Sequence, residues 1–327
     1  MNPIPLTQSL PSVSRIIAGC MGLGGGWNHD PVTPEHIAQA HNFVDVALEN
    51  GMTLFDHADI YARGKAEHVF GQVLAERPAI REHLFLQSKC GIRMEGAERG
   101  RNVPKRYDFS KQWILHSVEN SLSRLKTDYL DLLLLHRPDS LMEPEEIAEA
   151  FDQLKKAGKV RHFGVSNMSG HQIKYLQSFV DQPIVVNQIE MSLTRLDWLN
   201  DGVSFNHNQG HSVSFVPGTV EYCRSHNIQL QAWGCLSQGM FSGRDISDKD
   251  ETTQATAHQV AEMAQEMDVS REAIILAWLM RHPAAIQPVV GTTNPQRIRA
   301  CSGAEQITLS REQWYQLYVT ARGERLP

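Results

Sequence analysis

Short apolar runs recur at intervals along the whole chain, separated by segments with helical periodicity. The runs predict strands near 15–22, 53–57, 84–89, 129–135, 160–165, 184–189, 228–233 and 286–291. The clearest are continuous rather than alternating, as Leu132 to Leu135 shows. That pattern suits strands buried on both faces. The intervening segments space their apolar residues three and four apart, as amphipathic helices do. One is 34–49, with Thr33 as its N-cap, and another is 110–126. A third, 144–157, has proline at its start and Gly158 just past its end.

Strands alternating with helices over eight units, with no break in composition, predict an α/β fold. Its form is a closed (β/α)8 TIM barrel in a single domain, 1–327. A doubly wound sheet would need a glycine-rich turn running straight into a helix, then an acidic residue ~20 positions on. Gly19 to Gly26 is glycine-rich, but Asn28-His29-Asp30-Pro31-Val32-Thr33 stands where that helix should begin. Three connections exceed a tight turn. The first, 91–109, is basic through Arg93, Arg99, Arg101, Lys105 and Arg106. The second, 192–215, is rich in His and Asn, and the third, 236–253, contains Gly239 and Gly243. All three follow strands, so a barrel gathers them on its C-terminal face, where active sites are built. Ser310 opens a C-terminal helix running to Arg322.

Composition narrows the classes. The chain has 327 residues, 41% hydrophobic and 21% charged, enough for a large core. A net charge of −6 offers no pull on nucleic acid or an anionic membrane surface. No apolar run approaches the length of a membrane span. The N-terminus lacks a basic start and an apolar core, which predicts no leader and a cytoplasmic location. Cys20, Cys90, Cys223, Cys235 and Cys301 are scattered without a Cys-x-x-Cys pair, and read as reduced thiols. No apolar surface stripe marks a self-association face.

The candidate chemistry sits at strand ends. The run 53–61 carries Asp56 and Tyr61, the next ends on Lys89, and the one after ends on His136. A free tyrosine, with a pKa near ~10, is a poor acid at neutral pH. An ammonium beside it stabilises the phenolate and lowers that value. Lys89 could be that ammonium, with Asp56 holding it through a charge-assisted hydrogen bond. His136 could donate to a substrate oxygen. The four together form a proton donor beside a second hydrogen-bond donor, suited to an oxygen that is becoming an alkoxide. Each alone has an ordinary explanation in packing or solvation; the set at adjacent strand ends does not.

Later strands add to it. Ser166 and Asn167 end one run, and Gln188 puts an amide inside another, which calls for a partner such as a planar carboxamide. Trp233 ends a third with a stacking face. Gly291-Thr292-Thr293 followed by Arg297 is a strand–turn–helix anion site suited to phosphate, although Thr293 or Asn294 would also serve as a plain N-cap. A metal centre is not predicted. Asp56-His57-Ala58-Asp59 lacks companion histidines, His36 and His41 are five apart, and His207 and His211 lie in a polar loop.

These residues resemble the aldo-keto reductases over essentially the whole chain, with a bacterial subgroup the nearest in form. The resemblance is carried by Phe55-Asp56-His57-Ala58-Asp59-Ile60-Tyr61, Ser88-Lys89, Leu135-His136-Arg137-Pro138-Asp139, Gly164-Val165-Ser166-Asn167 and Asn187-Gln188. It implies a (β/α)8 barrel that binds NADPH, with NADH as the alternative, and reduces a small carbonyl substrate. Tyr61 would be the general acid, tuned by Lys89 and Asp56, and His136 would orient the carbonyl. Ser166, Asn167 and Gln188 would hold the carboxamide and Trp233 would stack on the nicotinamide. The loop through Gly234, Cys235, Leu236 and Gly239 would follow the pyrophosphate, with Cys20 and Met21 beneath the cofactor. The chain departs from many members at the 2′-phosphate site. Gly291, Thr292, Ala300 and Cys301 replace their Lys-Ser, acidic residue and Asn, and Arg297 remains. Two other functions stay open: a Schiff-base lyase using Lys89, and a cofactor-sensing subunit with little turnover.

Overall fold

The computed structural model describes residues 4–96 and 103–327. Arg99 and Arg101 of the basic loop, and the first three residues of the N-terminus, lie outside the described residues. Eight parallel strands close into a barrel in chain order. They are β1 (Ile17–Gly19), β2 (Leu54–Asp56), β3 (Phe85–Cys90), β4 (Leu130–Leu135), β5 (Val160–Ser166), β6 (Ile184–Glu190), β7 (Gln229–Trp233) and β8 (Gln287–Val290). β1 pairs with both β2 and β8, which completes the ring. The expected strands are all present, most of them a residue or more shorter at an end. Tyr61 corrects the expectation that it ends a strand: it opens a 3-10 turn, Tyr61–Gly64, beyond β2.

Several helices start where short polar side chains cap them. Pro34–Glu49 follows Thr33, whose backbone N–H donates to His36 Nδ1. Lys111–Leu125 is capped by Ser110 Oγ, which accepts from the Trp113 N–H. Pro144–Lys156 has proline in its first turn, and Gly158 beyond it is left-handed (φ 71°). The long connections carry structure of their own. In the first, Ile92–Arg93 pairs antiparallel with Arg106–Tyr107. The second holds a helix, Asp197–Val203, and a 3-10 turn, Asn208–Ser212. The third holds the turn Ser237–Gly239, before a helix that begins at Glu251. Among the described residues no helix is long and apolar enough to cross a membrane.

The barrel interior is layered, because alternate residues of every strand point inward. Ile17, Leu54, Leu132, Leu134, Val186 and Val289 form one buried apolar cluster. Ile4, Leu6, Leu10 and Val13 of the N-terminal segment join it and plug the bottom. Glutamines share the interior with this cluster, Gln87 pairing in register with Leu132, and the polar side chains of the C-terminal face follow. The larger apolar cluster fills the space between barrel and helices. Close packing is strict where β5 meets its neighbours: a Cβ on Gly164 would lie 2.5 Å from Leu134 Cδ2.

Candidate active site

Lys89 is the centre of the site. It is buried, and its three N–H bonds all find acceptors: Asp56 Oδ2 at 2.7 Å, the His57 carbonyl at 3.0 Å and Tyr61 Oη at 2.9 Å. Burial alone would drive the proton off the ammonium, but Asp56 and Tyr61 reverse this and raise the Lys89 pKa. Lys89 is therefore a fixed cation. Asp56 pairs in register with Gln87, and Lys89 stands two residues further along the same strand on the same inward side.

Tyr61 is positioned by its turn. Ala62 and Arg63 are non-glycine residues at φ 48° and 59°, a left-handed conformation held only when the surroundings require it. One such surrounding is the tie that follows. Glu67, in the first turn of helix Lys65–Glu76, is fully buried and accepts from Ser88 Oγ at 2.6 Å. It also pairs with Arg124 at 2.6 Å. Ser88 points out of the barrel and Lys89 into it, so one strand holds the Tyr61 turn from both faces. Sequence reasoning predicted that Lys89 lowers the Tyr61 pKa. Lys89 does pull it down, but burial is the larger effect and the net shift is upward. The phenol thus stays protonated through physiological pH. Lys89 offers only donors, so the phenol proton points away from it.

His136 follows β4. Burial, helped by Lys89, Arg137 and Lys105, lowers its pKa well below the ordinary value, so the imidazole is neutral. Its carbonyl accepts from Asn167 Nδ2 at 3.1 Å. Tyr61 and His136 stand edge to face with centroids 6.1 Å apart. Trp27, 45% exposed, stands edge-on to Tyr61 at 6.3 Å and walls the space above it.

The expected carboxamide set is assembled but largely committed to the protein. Ser166 Oγ donates to the Gln188 carbonyl and accepts from Asn167 Nδ2. Asn167, left-handed at φ 60°, accepts from Trp233 Nε1 at 3.1 Å. Gln188 Nε2 donates to Asp56 Oδ1 and Gln231 Oε1, both at 3.0 Å. Its amide hydrogens thus have partners inside the barrel. Arg137 lies 6.0 Å over the Trp233 ring. Gly234, Leu236 and Gly239 follow β7, while Cys235 is buried against the Val289 carbonyl. Cys20 is buried and Met21 is 50% exposed. Gly291, Thr292, Thr293 and Arg297 follow β8. The cap there is Asn294, whose Oδ1 accepts from the Gln296 and Arg297 N–H groups. Two of the N–H groups expected to face a phosphate are thus taken, and Thr293 Oγ1 accepts from Gln39. Arg297 is exposed and has no ion pair among the described residues. A cavity of about 670 Å³ opens beside Asn167 and Glu190, under the 192–215 connection.

Among the described residues no cluster could hold a metal ion. His57 faces away from the barrel, edge-on to Phe70 at 4.7 Å, and burial lowers its pKa to about 3. Burial, with Glu67 adding to it, pushes the Asp59 carboxyl up to about 8. Sequence reasoning missed Glu67, Arg124, Gln87, Gln231 and Gln287. The glutamines carried a signal: each stands an even number of residues from Lys89, Trp233 or Val289, so each faces inward.

A sequence model of the Aldo/keto reductase family matches residues 15–318. The chain belongs to that family and is an NAD(P)H-dependent oxidoreductase. It is 37% identical over 327 residues to the uncharacterized oxidoreductase YcsN of Bacillus subtilis, covering 100% of both chains. It is 34% identical to the oxidoreductase YdhF of Escherichia coli, covering 99% of each. A 6-dehydroglucose reductase of Agrobacterium fabrum is 35% identical, again covering 100% of both. A crystal structure of an aldo-keto reductase from Klebsiella pneumoniae in complex with NADPH aligns with a TM-score of 0.71 at 25% identity. That alignment covers 96% of this chain and 92% of the other.

The buried His57 sets a pH dependence of stability. Its folded pKa, about 3, lies below the 6.5 of the free side chain. The unfolded chain therefore takes up a proton first as pH falls. The stability is present above 6.5 and is lost on the way down to about 3. At pH 5 the loss from this one group is about 2 kcal/mol. His57→Leu should escape it, so urea unfolding at pH 7 and pH 5 should show a smaller acid loss in the variant. Parallel losses would remove His57 from the account.

Proposed function

We propose that the protein reduces an aldehyde or ketone to an alcohol with NADPH, Tyr61 giving the proton to the substrate oxygen. One observation carries this: the Lys89 ammonium has all three N–H bonds occupied, one of them by Tyr61. A phenol that accepts from a buried cation is a stronger acid than burial alone would leave it, and its proton is directed to the mouth. Neutral His136 stands across the same space and can donate through one ring nitrogen. It would fix the carbonyl and help hold charge as the oxygen becomes an alkoxide.

The residues fit a nicotinamide cofactor. Trp233 is half-buried at the top of β7 and offers a ring face. Ser166, Asn167 and Gln188 would accept from the N–H2 group of a carboxamide through the lone pairs their present bonds leave. Arg297 and Thr292 would hold a phosphate. When bound, the cofactor supplies the hydride that reduces the carbonyl carbon. Asp56 keeps Lys89 charged, and Lys89 keeps Tyr61 in place.

The lyase reading needs a neutral lysine with a free lone pair, and Lys89 has neither. The subunit reading predicts NADPH binding without reduction across an aldehyde panel. Two relatives are named 6-dehydroglucose reductase, which makes an oxidised sugar the first substrate to try. The five free cysteines are buried, which accords with a reducing compartment, and we place the single-domain protein in the cytoplasm.

Tyr61→Phe should lower kcat for a good aldehyde by about 10²-fold or more while leaving NADPH affinity unchanged. Steady-state kinetics with a fluorescence titration of NADPH would check this, and undiminished turnover would sink the mechanism. Arg297→Ala should weaken NADPH far more than NADH, about tenfold in the ratio of dissociation constants. Equal losses would take the phosphate role from it.

A further inference from the structure

The glutamine layer beneath the site has one fixed orientation. Gln87 Nε2 donates to Asp56 Oδ1 at 2.5 Å and to Gln231 Oε1 at 2.9 Å. Gln188 Nε2 donates to the same two oxygens. Gln231 Nε2 donates to Gln87 Oε1 at 3.1 Å and to Gln287 Oε1 at 3.2 Å. Gln287 Nε2 donates to the Ser14 carbonyl at 2.6 Å. All four side chains are buried, at 2% exposure or less. Strand register sets them level: Asp56 pairs with Gln87, and Gln231 pairs with both Gln188 and Gln287.

Each amide could in principle be turned over, exchanging its donor and acceptor ends. The two termini forbid it. The Ser14 carbonyl only accepts, and an ionised Asp56 only accepts. Held between two acceptors, the chain donates outward from the reciprocal Gln87–Gln231 pair to both ends, and both Gln87 and Gln188 deliver N–H groups to the oxygen of Asp56 that Lys89 does not use. Charge-assisted bonds of this kind are the strong ones, and a buried network whose members are satisfied fixes one geometry. A core of leucines would fill this space more simply.

We propose that Gln87, Gln231 and Gln287, together with Gln188, are positioning residues: an amide ladder of one fixed orientation across the barrel that clamps Asp56 in the rotamer that holds Lys89. The ladder acts on the reaction through Asp56, then Lys89, then Tyr61. The proposal rests on the roles given to those three residues above. It accounts for why a polar layer crosses the middle of a barrel whose floor is apolar.

Methionine is nearly isosteric with glutamine and removes both ends of the amide. Gln87→Met and Gln231→Met should weaken the hold on Asp56, so that Lys89 loses its proton more easily. Two readouts follow. The alkaline limb of the kcat profile should move to lower pH by about one unit, with kcat at a given pH on that limb down about tenfold. NADPH affinity should stay within about threefold, because neither Gln87 nor Gln231 is among the residues assigned to the cofactor. The second readout needs no turnover: the Lys89 side-chain carbon resonance, assigned by difference from Lys89→Met. In both variants its titration midpoint should fall about one unit below that of the wild type. Gln231→Glu supplies the conservative case. As a neutral acid it keeps a donor, and as a carboxylate it sets a second anion near Asp56, so its activity should fall from pH 6 to pH 8 relative to wild type.

If Gln87→Met fails to fold, Gln231→Met and Gln287→Met carry the test, with a smaller shift expected for Gln287, which does not touch Gln87. Retention of both the Lys89 charge and the kcat profile in Gln231→Met would overturn the ladder, whatever its melting temperature. A wild type that reduces no carbonyl would overturn the proposed function instead, and the resonance would still decide the ladder.

Discussion

The buried ion pair between Lys89 and Asp56 is the constraint on which the site depends. The two groups meet at 2.7 Å with their side chains 1% and 3% exposed. A charge taken from water into such a place costs several kcal/mol unless its bonds are replaced. Lys89 replaces them with three acceptors, and Asp56 with donors from Lys89, Gln87 and Gln188. Tyr61 is one of the three acceptors, so the residue assigned to proton transfer is also part of what stabilises the lysine. Catalytic position and charge burial are solved by one set of bonds.

The pair is held from two sides of one strand. Inside the barrel, β3 presents Gln87 and Lys89 to Asp56 and Tyr61. Outside, Ser88 reaches Glu67, and Glu67 reaches Arg124 on the helix Lys111–Leu125. The turn between them contains left-handed Ala62 and Arg63, each at a cost of about 1–2 kcal/mol. Bonds on both faces offset that cost and leave the phenol where Lys89 can reach it. Breaking the outer tie by removing Arg124 would strand the Glu67 charge in the core, which is why the two belong together.

Much of this was legible in the sequence. The apolar runs gave the eight strands, because strands buried on both faces leave little choice of residue, and the polar residues ending those runs gave Asp56, Lys89, His136 and Trp233. Tyr61 was found by its spacing from Asp56, but its turn was not, since nothing in Ile60-Tyr61-Ala62-Arg63 announces two left-handed residues. Lys89 was expected to dominate the tyrosine, and burial proved the larger effect, a balance that depends on depth rather than on residue type. Asn294, not Thr293, caps the helix that begins at Pro295. Gln87, Gln231 and Gln287 stood at inward positions, yet a glutamine in a strand has no single meaning until its partners across the barrel are placed. The tie from Glu67 to Arg124 joins residues 57 apart, a distance no local pattern spans.

The central claim is a protonation state, and neutron diffraction from a deuterium-exchanged crystal near pH 8 reads it directly. The account predicts three deuterons on Lys89 Nζ, aimed at Asp56, the His57 carbonyl and Tyr61, none on Asp56, and the Tyr61 deuteron aimed out into the mouth. A neutral Lys89, or a Tyr61 deuteron pointing back at the lysine nitrogen, would contradict it.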